Sequence, residues 1–246
     1  DQENIQKELI ARLKNKNKSI DSEPEKTKDS LLGMNVEGAR ILIVMDISKS
    51  MSHKNLVDIY TSSPVKYGEF NKYLQGQKIY NWLISSLPSS CKFNTMIFND
   101  KAKLFDKDMV DCSNEDFKAS ASLFVSGIQP SKGTSLGLAL EKISEMNSSP
   151  SDIYIITDGL PTLPGSNVGL RVRKDCFSLK SKSITGDCRV ALFQDAISTF
   201  NKTNPNAKIN VIMLPLEGDP KAAPLYWNWA TKSGGRYMNP DKKWLS

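Results

Sequence analysis

Five oxygen-bearing side chains fall in three short segments, and their types suit a hard divalent cation. Asp46, Ser48 and Ser50 alternate in Asp46-Ile-Ser-Lys-Ser50, Thr134 lies in Lys132-Gly-Thr-Ser135, and Asp158 lies in Thr157-Asp-Gly159. The set contains no His or Cys, so the chemistry is oxygen ligation, of Mg²⁺ with Mn²⁺ or Ca²⁺ as alternatives, ahead of Zn²⁺. Three hydroxyls supply neutral ligands. Two carboxylates can hold bound water or a hydroxyl by hydrogen bonds. Such a donor set under-neutralises the ion and leaves an open position suited to a carboxylate from another molecule. Each part alone is ordinary, since Asp-x-Ser-x-Ser can cap a helix and Thr-Asp-Gly is a common turn. Their chemistry depends on whether the chain brings them to one place.

The surrounding pattern supplies a way to do so. Ile41–Met45 and Ile153–Ile156 are continuous apolar runs, as expected of strands buried on both faces, and each ends at the acidic segment. Leu136, Ala139, Leu140, Ile143 and Met146 make a helical stripe that opens just after Thr134. Further helices are expected on the stripes Ile79-Trp82-Leu83-Leu87 and Leu192-Phe193-Ala196-Ile197-Phe200, and over Leu225–Ser233 before Gly234-Gly235. Ser113 with Asp116 reads as a capping box for a helix reaching about Phe124. Ile209–Leu214 and Arg236–Met238 read as strands, and Phe93–Phe98 with Leu104–Val110 as a strand pair around a turn near Asp100–Ala102. Strands alternating with helices predict an α/β fold, Rossmann-like and doubly wound, with helices on both faces of a mostly parallel sheet. In such a sheet, ligands bind beyond the carboxyl ends of the strands where strand order reverses. All three oxygen-bearing segments belong to that rim.

At this point the chain resembles the von Willebrand factor A (vWA) family, whose metal-ion-dependent adhesion site (MIDAS) has the form Asp46-x-Ser48-x-Ser50, Thr134 in a Gly-Thr-Ser turn and Asp158 in Thr-Asp-Gly. The resemblance spans about residues 38–240. It implies a six-stranded sheet with one antiparallel edge strand. It also implies that Ser48, Ser50 and Thr134 ligate the metal, directly or through water, while Asp46 and Asp158 act mostly behind them. An acidic side chain of a protein partner would fill the last position. As polar residues on a rim, Asp46 and Asp158 are expected to tolerate alanine with little change in fold.

Residues 1–37 differ from the rest and are read as an N-terminal helix, with Ile5, Leu9, Ile10 and Leu13 as its stripe, followed by a polar linker. A packing arm and the stub of a stalk from an upstream membrane anchor are equal alternatives for it. Residues 38–246 are expected to form the vWA domain, with long insertions at about 52–75 and 160–189. Both leave the metal rim and are expected either to set partner choice or to fold back as covers. The second carries Arg171, Arg173, Lys174, Lys180, Lys182 and Arg189, read as a positive rim for an acidic partner or as a solvated loop. Four cysteines permit two local bridges. Cys176–Cys188 would close a short loop. Cys91–Cys112 would follow if the edge hairpin turned between Lys101 and Ala102, which would also set Phe98 opposite Phe105. Two disulfides would fit an extracytoplasmic protein, whether periplasmic, cell-surface or secreted.

The net charge of +6 comes from scattered lysines without interleaved aromatics, so no nucleic-acid partner is expected. An enzyme is not expected either. The single histidine, His53, gives no triad, and no phosphate-binding glycine loop is present. Aspartate-based phosphatases place a second Asp where this chain has Ser48, which cannot act as an acid or base. The function expected is a metal-dependent protein-binding (adhesion or interaction) domain. The alternatives are a metal-independent scaffold module in a larger assembly and, behind it, Mg²⁺-dependent phosphoryl transfer.

Overall fold

The apolar runs form the central strands of one sheet, and the helices that follow them cover its faces. In chain order the elements are β1 (Arg40–Asp46), a 3-10 turn (Lys49–Ser52), α1 (Lys72–Ser85), β2 (Lys92–Phe98), β3 (Ala102–Leu104), β4 (Val110–Asp111), α2 (Glu115–Ser126), α3 (Leu136–Ser144), β5 (Asp152–Thr157), α4 (Leu170–Cys176), α5 (Gly186–Thr203), β6 (Lys208–Met213), α6 (Ala222–Lys232) and β7 (Tyr237–Met238). The structure is a computed structural model that describes residues 34–52, 72–176, 184–216 and 218–240, with the backbone alone for Arg171 and Arg173. The chain divides into two units, Asp1–Asn35 and Val36–Ser246, and all these elements belong to the second. The helix expected within residues 2–14 and its linker up to residue 33 lie outside the described residues, as do residues 53–71 of the first insertion.

The sheet has seven strands in the order β3-β2-β1-β5-β6-β7, with β4 also on β2. The β1, β2, β5, β6 and β7 pairings are parallel, and β3 and β4 both run antiparallel to β2. From β1 the chain proceeds outward to β2 on one side and later to β5, β6 and β7 on the other. The reversal of strand order therefore falls between β1 and β5.

Alternate residues of each strand divide between the faces. Leu42, Val44, Met96, Phe98, Ile153, Ile155, Ile209 and Val211 share a core cluster with α3, α5 and α6. Phe193 of α5 packs edge-on to Tyr226 and Trp229 of α6 at ring-centre distances of 4.7 and 5.9 Å. The opposite face carries α1 and α2. There Tyr80 shares a 2.6 Å hydrogen bond with Thr95 of β2, and the Tyr73 hydroxyl donates to the Val125 carbonyl of α2 at 2.8 Å. Gly76 lets α1 approach β1, because a Cβ there would lie 2.6 Å from Cε of Met45.

The antiparallel edge differs from the sequence reading. One strand from Leu104 to Val110 was expected, giving six in all, but two short strands flank an excursion through residues 105–109. Lys92 pairs with Asp111 and Phe93 with Val110, the expected register, whereas Phe98 pairs with Ala102 rather than Phe105. The cause is Asn94, which is fully buried. Its amide donates to the carbonyls of Asp106 and Asp108 at 2.7 and 3.0 Å, and its Oδ1 accepts from the Asp106 N–H at 3.3 Å. A side chain thus replaces the ladder over those residues. At the preserved end Cys91 and Cys112 form a disulfide. The helix after it is capped by Asn114, whose side chain accepts from the Phe117 N–H, one residue beyond the expected Ser113.

Asn94→Ala would leave the backbone groups of Asp106 and Asp108 unpaired. We expect a loss of about 2 kcal/mol in urea unfolding, with hydrogen exchange quickened at residues 103–110 and unchanged in β5 and β6. Uniform exchange changes across the sheet would contradict this account of the edge.

Candidate functional site

The first acid is fixed by the end of β1. Asp46 is fully buried, and both of its carboxylate oxygens are held: Oδ1 accepts from the Ser48 N–H at 2.8 Å and Oδ2 from the Thr157 hydroxyl at 2.7 Å. The first bond makes the turn that leads the chain off the strand. The second joins β1 to β5, whose register sets Met45 beside Ile156. Burial first, and the nearby charge of Asp158 second, push the Asp46 carboxyl up to about 7.

From this turn a chain of side chains crosses the gap. Ser48 and Ser50 share a hydrogen bond of 2.9 Å, and the Ser50 hydroxyl donates to Asp158 Oδ1 at 2.7 Å. Asp158, directly after β5, is also buried, at 2% exposure. Its Oδ2 receives the ammonium of Lys72, the first residue of α1, which is itself 1% exposed. Asp46, Ser48, Ser50 and Asp158 are thus linked through their side chains.

Thr134 joins them through its loop. The Ser131 N–H donates to the Ile47 carbonyl at 2.9 Å, and the Lys49 N–H to the Lys132 carbonyl at 3.0 Å. Lys132 adopts φ of 70°, a left-handed conformation that a lysine takes only at some cost. Thr134 is buried, and its backbone is clamped by the segment after Asp158. Its N–H donates to the Thr162 hydroxyl at 2.9 Å, and its carbonyl accepts from the N–H groups of Thr162 and Leu163 at 2.8 and 2.9 Å. Ser135 caps α3 through the Leu138 N–H and donates to the Pro164 carbonyl at 2.7 Å.

Two expectations change here. Asp46 and Asp158 are not exposed rim residues, so tolerance of alanine does not follow. Removing Asp158 would strand the buried charge of Lys72. Arg189, assigned to the positive rim, points inward instead. It is 6% exposed, pairs with Asp219 at 2.8 Å and donates to the Leu160 carbonyl at 2.6 Å, while Asp219 accepts the Leu160 N–H at 2.8 Å. This clamp fixes the chain two residues beyond Asp158. Lys174 is exposed, and Lys180 and Lys182 lie outside the described residues. The second insertion includes α4, whose Val172 is buried with Cys188, Ala191 and Leu192. A disulfide links Cys176 to Cys188.

Sequence reasoning missed Lys72, Thr157, Thr162, Arg189 and Asp219 as parts of this assembly. Lys72 had a signal, since it stands in the buried stripe Lys72-Gly76-Ile79-Leu83 of α1 where an apolar residue is expected. Among the described residues, no group of three or more His, Cys, Asp or Glu could hold a metal ion. Ser48 and Ser50 bring hydroxyls to this rim, and Thr134 is tied to the same loops through its backbone.

No family model matches the chain. No curated protein matches it either. Solved structures do. A von Willebrand factor type A protein from Catenulispora acidiphila aligns at TM-score 0.51 and 14% identity, over 84% of this chain and 39% of that one. The pilus adhesin SpaC from Lactobacillus rhamnosus GG, in an open conformation, aligns at TM-score 0.54 and 12% identity, over 85% and 28%. The conserved hypothetical protein BatB from Bacteroides thetaiotaomicron aligns at TM-score 0.50 and 17% identity, over 83% and 91%. The chain has a vWA-like fold, and identities this low show the fold alone.

Breaking the clamp behind Asp158 tests how the site is held. Arg189→Met would leave Asp219 buried and unpaired, and should destabilise the protein by roughly 3 kcal/mol. The R189M/D219N pair should recover part of that loss, because the uncharged amide still offers an oxygen to Leu160. Equal stability of the single and double variants in urea unfolding would refute the clamp.

Proposed function

We propose that this chain is a metal-dependent protein-binding module rather than an enzyme. Ser48, Ser50 and Thr134 would provide hydroxyl ligands to Mg²⁺, with Asp46 and Asp158 holding the ligands and bound water in place. When bound, the ion supplies a Lewis-acidic position that an acidic group of a partner can occupy. The observation that carries this reading is the hydrogen-bonded chain Ser48–Ser50–Asp158 spanning the reversal between β1 and β5. The residues fit such an ion in kind, since they offer only hard oxygen donors and two buried carboxylates that favour a nearby cation. Ser48 stands where a phosphoryl-transfer site of this type would need an acid or base, which supports binding over catalysis.

Two disulfides support an extracytoplasmic setting for the module. Among the described residues no helix is long and apolar enough to cross a membrane. The vWA-like neighbours include a pilus adhesin, a kind of protein consistent with binding as the task.

Titration calorimetry with Mn²⁺ and Mg²⁺ tests the reading. One ion should bind per chain, and Ser48→Ala should weaken binding at least about tenfold while changing stability by about 1 kcal/mol or less. Immobilised protein should retain a partner in Mg²⁺ and release it in EDTA. A partner held equally by wild type in both buffers and by S48A would favour the metal-independent scaffold.

A further inference from the structure

Lys72 has no role in the metal-dependent reading, yet among the described residues it is the most heavily buried basic side chain. A lysine in a helical core stripe forfeits its hydration, and such burial is tolerated only against an opposite charge. Here that charge is Asp158, and the pair is enclosed at 1% side-chain exposure on both sides. The same carboxylate offers its other oxygen to Ser50, one of the hydroxyls facing the rim. Asp158 therefore stands between two cationic demands, the ammonium of α1 on one oxygen and the rim on the other. Two cations drawn to one buried carboxylate repel each other strongly, because little water lies between them to screen the charge.

We propose that Lys72 is a built-in counter-ion of the metal-free site, and that a divalent ion at the rim displaces its ammonium from Asp158. The inference rests on the metal-binding reading above. Lys72 then does two things. It neutralises Asp158 when no metal is bound, so the folded protein need not carry two uncompensated buried carboxylates. It also sets the affinity for metal below what the five oxygen-bearing residues would give unaided. Because Lys72 opens α1, metal occupancy is coupled to the first turn of that helix. Gly76, one turn further on, rests against Met45 of β1 and marks where the helix is held.

The test uses the whole chain and Mn²⁺ alone. Lys72→Met keeps the length and apolar stem of the side chain while removing its charge. Calorimetry at pH 8 should show the variant binding Mn²⁺ about tenfold or more tightly than wild type. In parallel, wild type is reductively methylated with and without saturating Mn²⁺, and lysine modification is read by mass spectrometry. Lys72 should be protected in the metal-free protein and more reactive in the loaded one. If K72M binds no more tightly than a wild type that does bind, or if Lys72 reactivity is the same in both states, the inference fails and the metal site stands. If neither protein binds Mn²⁺, both readings fail. Should K72M not fold, the wild-type methylation result decides alone.

Discussion

Two carboxylates buried at the ends of neighbouring parallel strands set the terms for everything around them. β1 and β5 are adjacent and in parallel register, so Asp46 and the Thr157–Asp158 step reach the same rim. Parallel strands bury both faces, and α1 and the two loops at residues 131–135 and 159–164 close over their ends. A buried carboxylate must be hydrogen-bonded and matched by positive charge. The contacts to the two acids supply the hydrogen bonds, and Lys72 supplies the one positive charge. The Ser48 amide and Thr157 hydroxyl hold Asp46, while Ser50 and Lys72 hold Asp158.

The same demand explains the supports further out. Asp158 can keep its place only if the chain leaving β5 is fixed, and Arg189 and Asp219 fix it at both polar groups of Leu160. From there the chain folds back to clamp Thr134 through Thr162 and Leu163. The loop after one strand thus holds the backbone of a different segment. Backbone bonds tie the Thr134 segment both to this loop and to the turn after β1, so its placement is a property of three loops together.

Much of this was legible in the sequence, for definable reasons. Ile41–Met45 and Ile153–Ile156 are too apolar to be anything but central strands, and polar residues directly after such runs must lie on the sheet's rim. The conjunction of Asp46, Ser48, Ser50, Thr134 and Asp158 was readable as types and spacing. What was not legible depended on partners distant in the chain. Asn94 has the ordinary look of a strand residue, and only its three bonds to residues 106 and 108 reveal why the edge strand splits. Arg189 sits in a basic stretch and reads as exposed until Asp219, thirty residues on, turns it inward. Lys72 broke the apolar stripe of α1, but a single lysine at a helix start is usually solvated, and the carboxylate that keeps it buried comes from after β5.

Charge at the rim links these pieces to what the site would bind. With both acids ionised, two buried carboxylates face one buried ammonium, leaving one negative charge uncompensated. Burial first, and this unbalanced charge of Asp158 second, push the Asp46 carboxyl up. On the metal-binding reading, a divalent ion would bring two positive charges to these two acids and take over the role of the Lys72 ammonium. An acidic group from a partner would then meet the ion in a place where water screens poorly. On the proposed reading, the single lysine and the ion compete for the same two acids, so the charge of the rim would depend on whether metal is bound.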